Sequence, residues 1–260
     1  MNEDSPKSYQ GTSPQVGLPA PSFTAMTTQG ELHFPQDYEG KWVVFFSHPS
    51  DFTPVCTSEF MMFAQMTPQF EALNTRLLAL SVDGLYSHIA WIRAIRENIS
   101  WRGMKSIDIT FPVIDDSHGK LAKLYGMIQP SQSESKAIRS LFFIDPKGII
   151  RAMIFYPSNI GRSIGEILRV LTALQTSDRF GVATPADWQP GEDVLVPTDP
   201  TPSAARERVE DTPHGVKCHD WFFCTRELLK DEIDKFLKEI GGSSREDTPD
   251  TPNDKEKAET

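Results

Sequence analysis

Cysteine is scarce in this chain: three among 260 residues, at positions 56, 218 and 224. An odd number so small excludes a disulfide scaffold, and reactive or incidental thiols remain. Long apolar runs are also missing, since nothing approaches the roughly 20 residues a membrane helix needs. The first residues, MNEDSPKSYQGTS, have no apolar core of the kind a secretory leader carries. Basic excess is absent too, because 26 Lys and Arg face 36 Asp and Glu for a formal net charge of −10. That balance argues against nucleic acid or an anionic membrane as a partner. There is no internal repeat. Together these absences point to a soluble, cytoplasmic protein. The apolar share of 38% is low and prolines number 20, so part of the chain reads as linker or tail.

What the chain does have centres on 41–59, KWVVFFSHPSDFTPVCTSE. Val43 to Phe46 is a β-branched and aromatic run suited to a strand buried on both faces, and it stops at Pro49. Thr53, Pro54, Val55 and Cys56 then read as a helix start, with threonine as N-cap and proline at the first helical position. Cys56 falls on the first turn, where free amide hydrogens and the helix dipole favour the nucleophilic thiolate. The competing reading is a small buried hydrophobe in an apolar helix.

Around this stretch, 23–34 alternates about Gln29-Gly30 as a hairpin ahead of the main sheet. The helix after Cys56 carries Phe60, Met61, Phe63 and Ala64, with a fresh helix beginning near Thr67-Pro68. Leu77 to Val82 reads as a strand, and Ser87 to Asn98 as a helix turning Ile89, Trp91, Ile92 and Ile95 toward the sheet. Phe111 to Ile114 is a strand and Gly119 to Tyr125 a helix. Ser140 to Ile144 and Ile149 to Phe155 form an antiparallel pair about Asp145-Pro146-Lys147-Gly148, and Ser163 to Leu174 is the last core helix. The order βαβαβαββα predicts an α/β, three-layer, thioredoxin-like fold with a mixed central sheet.

The expected organisation is a flexible N-terminus over 1–15, a core domain over 16–176, a C-terminal extension over 177–240 and a disordered acidic tail over 241–260. In the extension, 187–202 lacks periodicity and is expected to wrap a surface or bridge subunits. Glu227 to Ile240 places Leu229, Ile233, Phe236, Leu237 and Ile240 on one face of an amphipathic helix. Cys218 and Cys224 leave three readings open: chemistry with Cys56, a zinc site with His214 or His219, or inert thiols. Ligand cysteines usually sit closer together than six apart, which counts against zinc. Gly161-Arg162-Ser163-Ile164-Gly165 fits a hydrolase nucleophile string, but residues 156–159 separate it from the preceding strand where an elbow needs direct entry.

Pro49-Ser50-Asp51-Phe52-Thr53-Pro54-Val55-Cys56, within Ser47-His48 and Thr57-Ser58-Glu59, resembles the peroxiredoxin active-site pattern Pro-x-x-x-Thr-x-x-Cys. The similarity extends over Val16 to Ile240. It includes Phe143-Ile144-Asp145, Gly161-Arg162, Pro190-Gly191-Glu192-Asp193, and the segments Val216-Lys217-Cys218 and Trp221 to Cys224. It is closest to the branch near the one-cysteine enzymes that carries an added C-terminal cysteine pair. The resemblance implies a thiol peroxidase that reduces hydrogen peroxide and organic hydroperoxides without a cofactor or metal. Cys56 corresponds to the peroxidatic cysteine, Thr53 to the hydroxyl serving thiolate and peroxide, and Pro49 to the residue shielding the pocket. His48 corresponds to the histidine beside it, Arg139 to the arginine facing the thiolate, Arg162 to a second cation, and Glu59 to the carboxylate holding an arginine. The family pattern makes Cys224 the resolving partner and Cys218 a relay. It also implies a thioredoxin-like donor and a homo-oligomer, a dimer or a decamer of five dimers. A redox sensor or disulfide oxidoreductase and an oligomeric holdase are the rival functions; the first would need a Cys-x-x-Cys that Pro54 and Val55 replace with a lone Cys56.

Overall fold

The computed structural model describes residues 14–198, 201–210, 212–229, 231–233, 235, 236 and 239. Its centre is β3 (Trp42–Ser47), all six residues of which are buried. Alternate side chains of a strand point to opposite faces. Trp42, Val44 and Phe46 accordingly join one apolar cluster, and Val43 and Phe45 join the other.

Strand β3 lies in a seven-stranded mixed sheet with β1 (Phe23–Thr27), β2 (Gly30–Phe34), β4 (Thr75–Ser81), β7 (Val113–Asp115), β8 (Arg139–Ile144) and β9 (Ile150–Tyr156), in the order β2-β1-β7-β4-β3-β8-β9. β3 pairs parallel with β4 and antiparallel with β8. Between β4 and β7 the chain makes the small β5 (Ser100–Trp101) and β6 (Met104–Lys105) ribbon. The turn between β8 and β9 is closed by Gly148 N–H to Asp145 O at 2.8 Å, and Gly148 sits at φ +77°, where a side chain would be strained.

Helices α1 (Pro54–Ala72), α2 (Leu85–Asn98) and α4 (Ile164–Phe180) pack Phe60, Phe63, Phe70, Trp91, Ile95, Ile167 and Leu171 on one face of the sheet. On the other face helix α3 (Lys120–Leu124) and Tyr125 pack with Phe34, Val43 and Phe45 of the sheet. The fold is α/β and thioredoxin-like, in the predicted element order.

Several local expectations change. The break at Thr67-Pro68 does not occur, and α1 runs through Pro68. The missing proline N–H costs one ladder bond, while Thr67 Oγ1 donates to Phe63 O at 3.1 Å. The first hairpin is not ahead of the sheet but part of it, through Thr27 opposite Ile114. In α2 the inward stripe is His88, Trp91 and Ile95, while Ile89 is exposed. Helix α4 continues past Leu174 because its inward positions 175 and 176 are polar yet buried, with Gln175 Nε2 donating to Leu73 O at 2.7 Å.

The extension holds more structure than its sequence pattern announces. A three-stranded sheet, β10 (Val194–Leu195), β12 (Phe223–Arg226) and β11 (Val216–Asp220), stands beside α5 (Pro202–Glu210). Trp188, expected in an arm without a core, is fully buried with Val182, Val194, Leu228 and Ile233 against Ala173 and Phe180 of α4. Of the predicted helix over 227–240, residues 231–233, 235, 236 and 239 are helical, with Ile233 buried and the Phe236 ring 5.9 Å from that of Phe180. Leu229 is exposed instead. Leu237, Ile240, most of the N-terminal segment and the acidic tail lie outside the described residues. Among those described, no helix is long and apolar enough to cross a membrane.

Candidate active site

The C-terminal ends of the central parallel strands meet the first turn of α1, and Cys56 lies there, fully buried and free. The first intrahelical bond is Thr57 N–H to Thr53 O at 3.0 Å, and Pro54 lacks an N–H, so the amides of Val55 and Cys56 stand at the open helix end. Arg139, the first residue of β8, reaches in from the adjacent strand and donates through Nη1 to Cys56 Sγ at 3.4 Å. Its Nε and Nη2 both donate to Ser158 O, at 2.9 and 2.7 Å, which fixes the plane of the guanidinium.

Glu59 sits one turn along α1 and gathers both buried arginines. Arg139 Nη1 donates to its Oε2 at 2.7 Å. Arg162 donates through Nε at 2.9 Å, Nη2 at 2.7 Å and its backbone N–H at 2.8 Å. The remaining nitrogen, Arg162 Nη1, donates to Ser140 O at 2.8 Å. Burial pushes the Glu59 carboxyl up, but Arg162 and then Arg139 outweigh it and hold the group below the usual carboxylate range. Two buried cations therefore face one buried carboxylate. The cluster carries one uncompensated positive charge beside Cys56 Sγ.

The loop between β3 and α1 forms the other wall. Pro49 is buried, and Thr53 spends its only hydroxyl hydrogen on Ser50 O at 2.8 Å, leaving its oxygen to accept. Thr53 is the N-cap by position, yet its side chain caps nothing. His48 is bonded within that loop, with Nε2 on Asp51 Oδ1 at 2.9 Å and its ring against that of Phe60. Burial, opposed by Asp51, lowers the His48 imidazole below its ordinary value and keeps it neutral. Asp51 Oδ2 is taken by His88 Nδ1 at 2.8 Å. Burial pushes the Asp51 carboxyl up, but the hydrogen bonds from His48 and His88 win and lower it, so it stays ionised.

On its outer side, the loop borders an apolar groove of about 480 Å³ whose lining includes Phe52, Thr53, Trp91, Ile95, Ile99 and Trp101. Cys218 and Cys224 lie opposite one another on β11 and β12 and are joined in a disulfide. Trp221, Phe222 and Phe223 are exposed at the tip between them.

The AhpC/TSA family pattern matches residues 16–153, and the pattern for the C-terminal domain of 1-Cys peroxiredoxin matches 173–212. This chain belongs to the peroxiredoxins. A peroxiredoxin of Methanosarcina mazei is 51% identical over 213 residues, covering 82% of this chain and 97% of that one. One from Aquifex aeolicus is 47% identical over 222 residues, covering 83% and 97%. Among solved structures, the yeast mitochondrial 1-Cys peroxiredoxin aligns with a TM-score of 0.70 at 35% identity, over 82% of this chain and 99% of its own.

Within this peroxiredoxin, the described site contains two residues that sequence reasoning passed over, Asp51 and His88. Asp51 was visible inside the matched motif. His88 could have been found from helical spacing, since it lies one turn before Trp91 and Ile92 on the inward face. Ser163 of the hydrolase-like string is the N-cap of α4, its Oγ accepting from Glu166 N–H at 3.3 Å.

Proposed function

This peroxiredoxin is a thiol peroxidase, and we propose that Cys56 is its attacking thiol. The observation that carries the assignment is Arg139 Nη1 at 3.4 Å from a buried Cys56 Sγ, in a cluster one negative charge short of balance. The thiolate attacks the terminal peroxide oxygen, the O–O bond breaks, and an alkoxide or hydroxide leaves to take up a proton. Charge moves along the S–O–O line, and the Arg139 guanidinium, already fixed by Ser158 O, stabilises it without reorganising. Thr53 accepts the peroxide hydrogen through its free lone pair. The groove beside Thr53 supports alkyl hydroperoxides as substrates next to hydrogen peroxide.

The product is Cys56 sulfenic acid. Cys224 attacks it, forming a Cys56–Cys224 disulfide and releasing water. Cys218 then attacks Cys224, frees Cys56 and leaves the Cys218–Cys224 bond, for which the paired positions on β11 and β12 are suited. A thioredoxin-like dithiol donor reduces that last disulfide and closes the cycle. The exposed aromatic tip at 221–223 supports assembly into at least a dimer.

Consumption of hydrogen peroxide by the purified protein with dithiothreitol tests the peroxidase; no consumption above buffer would end the reading. Resolution is tested on non-reducing gels after mild peroxide. A disulfide-linked dimer is expected, absent in Cys224→Ser and accumulating in Cys218→Ser, where the relay is cut. Peptide maps in which Cys56 is never cross-linked would leave a one-cysteine mechanism served by an outside thiol.

A further inference from the structure

The loop that carries Pro49 and Thr53 is tied down from below by side chains with no part in the chemistry just described. Asp51 is its anchor. One carboxylate oxygen meets His48 at the end of β3, 2.9 Å away, and the other meets His88 on α2 at 2.8 Å. The second nitrogen of His88, Nε2, faces Ile114 O on β7 at 3.1 Å. Both ring nitrogens of His88 are thus engaged, one on the loop and one on β7. The backbone N–H of Asp51 donates to Asp83 Oδ2 at 2.8 Å, and Asp83 is itself held by Ser81 Oγ at 2.9 Å. His48, Asp51 and His88 are buried, while Phe52, the next loop residue, is 60% exposed. One inward side chain thus fastens the loop to β3, α2 and, through His88, β7.

We propose that Asp51 and His88 are positioning residues that hold the loop closed over Cys56, and that loosening them favours the open form in which Cys224 reaches the sulfur. This rests on Cys56 being the attacking thiol. Closed, the loop keeps Pro49 and Thr53 set for peroxide. The sulfenic acid formed there has two fates. In the closed pocket a second peroxide oxidises it to sulfinic acid, Cys56–SOH + ROOH giving Cys56–SO₂H + ROH. With the loop open, Cys224 converts it to the disulfide and water. The network therefore sets both the speed of the first oxidation and the partition of its product.

The test uses the full-length reduced protein and the variants His88→Ala and Asp51→Asn, the second nearly isosteric. Stopped-flow tryptophan fluorescence follows oxidation of Cys56 by hydrogen peroxide. Intact mass after a peroxide series counts sulfinic acid against disulfide, and thermal melts report the fold. Expected are cooperative melts, oxidation slower by about tenfold to a hundredfold, and a partition moved severalfold toward disulfide. A role in stability alone would leave the partition where it is. Wild-type rate and partition in either folded variant overturn the proposal, as does loss of cooperative melting in both, which would make the network part of the global fold. A wild-type protein inert to peroxide would instead overturn the assignment of Cys56.

Discussion

Replacing Cys56 with serine is expected to remove peroxide turnover altogether and leave a folded protein. The hydroxyl is not ionised near neutral pH, so no anion is available to attack the peroxide oxygen. An attack by oxygen would also build no species that a thiol could resolve. The fold has little reason to suffer, since serine is close in size and its hydroxyl falls where Arg139 Nη1 already donates. The cost of burying the hydroxyl is then offset by a charge-assisted hydrogen bond. Arg139 and Arg162 keep their hydrogen bonds to Glu59 in the variant. Dithiothreitol-driven peroxide consumption and a thermal melt check the result together. Ordinary turnover in Cys56→Ser would move the chemistry to Cys218 or Cys224.

How far such a site is readable in the chain depends on whether its parts are local. The strand, loop and helix start that carry Cys56 lie within 41–59 and obey local rules of burial, capping and proline placement, so the sequence displays them directly. The arginines come from 83 and 106 residues beyond Cys56 in the chain. Nothing in their own neighbourhoods marks them, and only the match to the family pattern brought them in. His88 shows a different difficulty. Its helix was readable, and Ile92, Ile95 and Trp91 do pack inward, but Ile89 is exposed and the fold adds to that face a histidine bonded to a buried aspartate. Hydrophobic periodicity has no term for a polar group satisfied by a distant partner. The same limit hid the end of α4, where Gln175 is buried against a backbone carbonyl. In the extension the strands are two to five residues long and too short to show alternation, so the sheet carrying Cys218 and Cys224 had no pattern to find.

Arg139→Ala is expected to slow oxidation of Cys56 by about 10²–10³ while Cys56 remains reactive. The loss combines two contributions that one side chain makes through the same atom: Nη1 donates to the sulfur, favouring thiolate, and stands beside the position where charge grows on the leaving oxygen. Arg139→Lys should recover only part of the rate. An ammonium restores the charge, but it cannot hold Glu59, Cys56 and Ser158 O at once as the planar fork does. Stability should respond with a definite sign. The Glu59 carboxyl is depressed in the fold relative to about 4.3 in an unfolded chain, so it contributes stability that is present above that value and lost as pH falls through the folded one. Arg139→Ala leaves Glu59 with Arg162 alone. The depression then shrinks, the variant melts lower at neutral pH, and its further loss on acidification is smaller than in the wild type. Rapid-mixing kinetics with hydrogen peroxide and melting temperatures across a descending pH series measure both effects. An Arg139→Ala protein that reacts at the wild-type rate would mean that the first helical turn, not the guanidinium, activates Cys56.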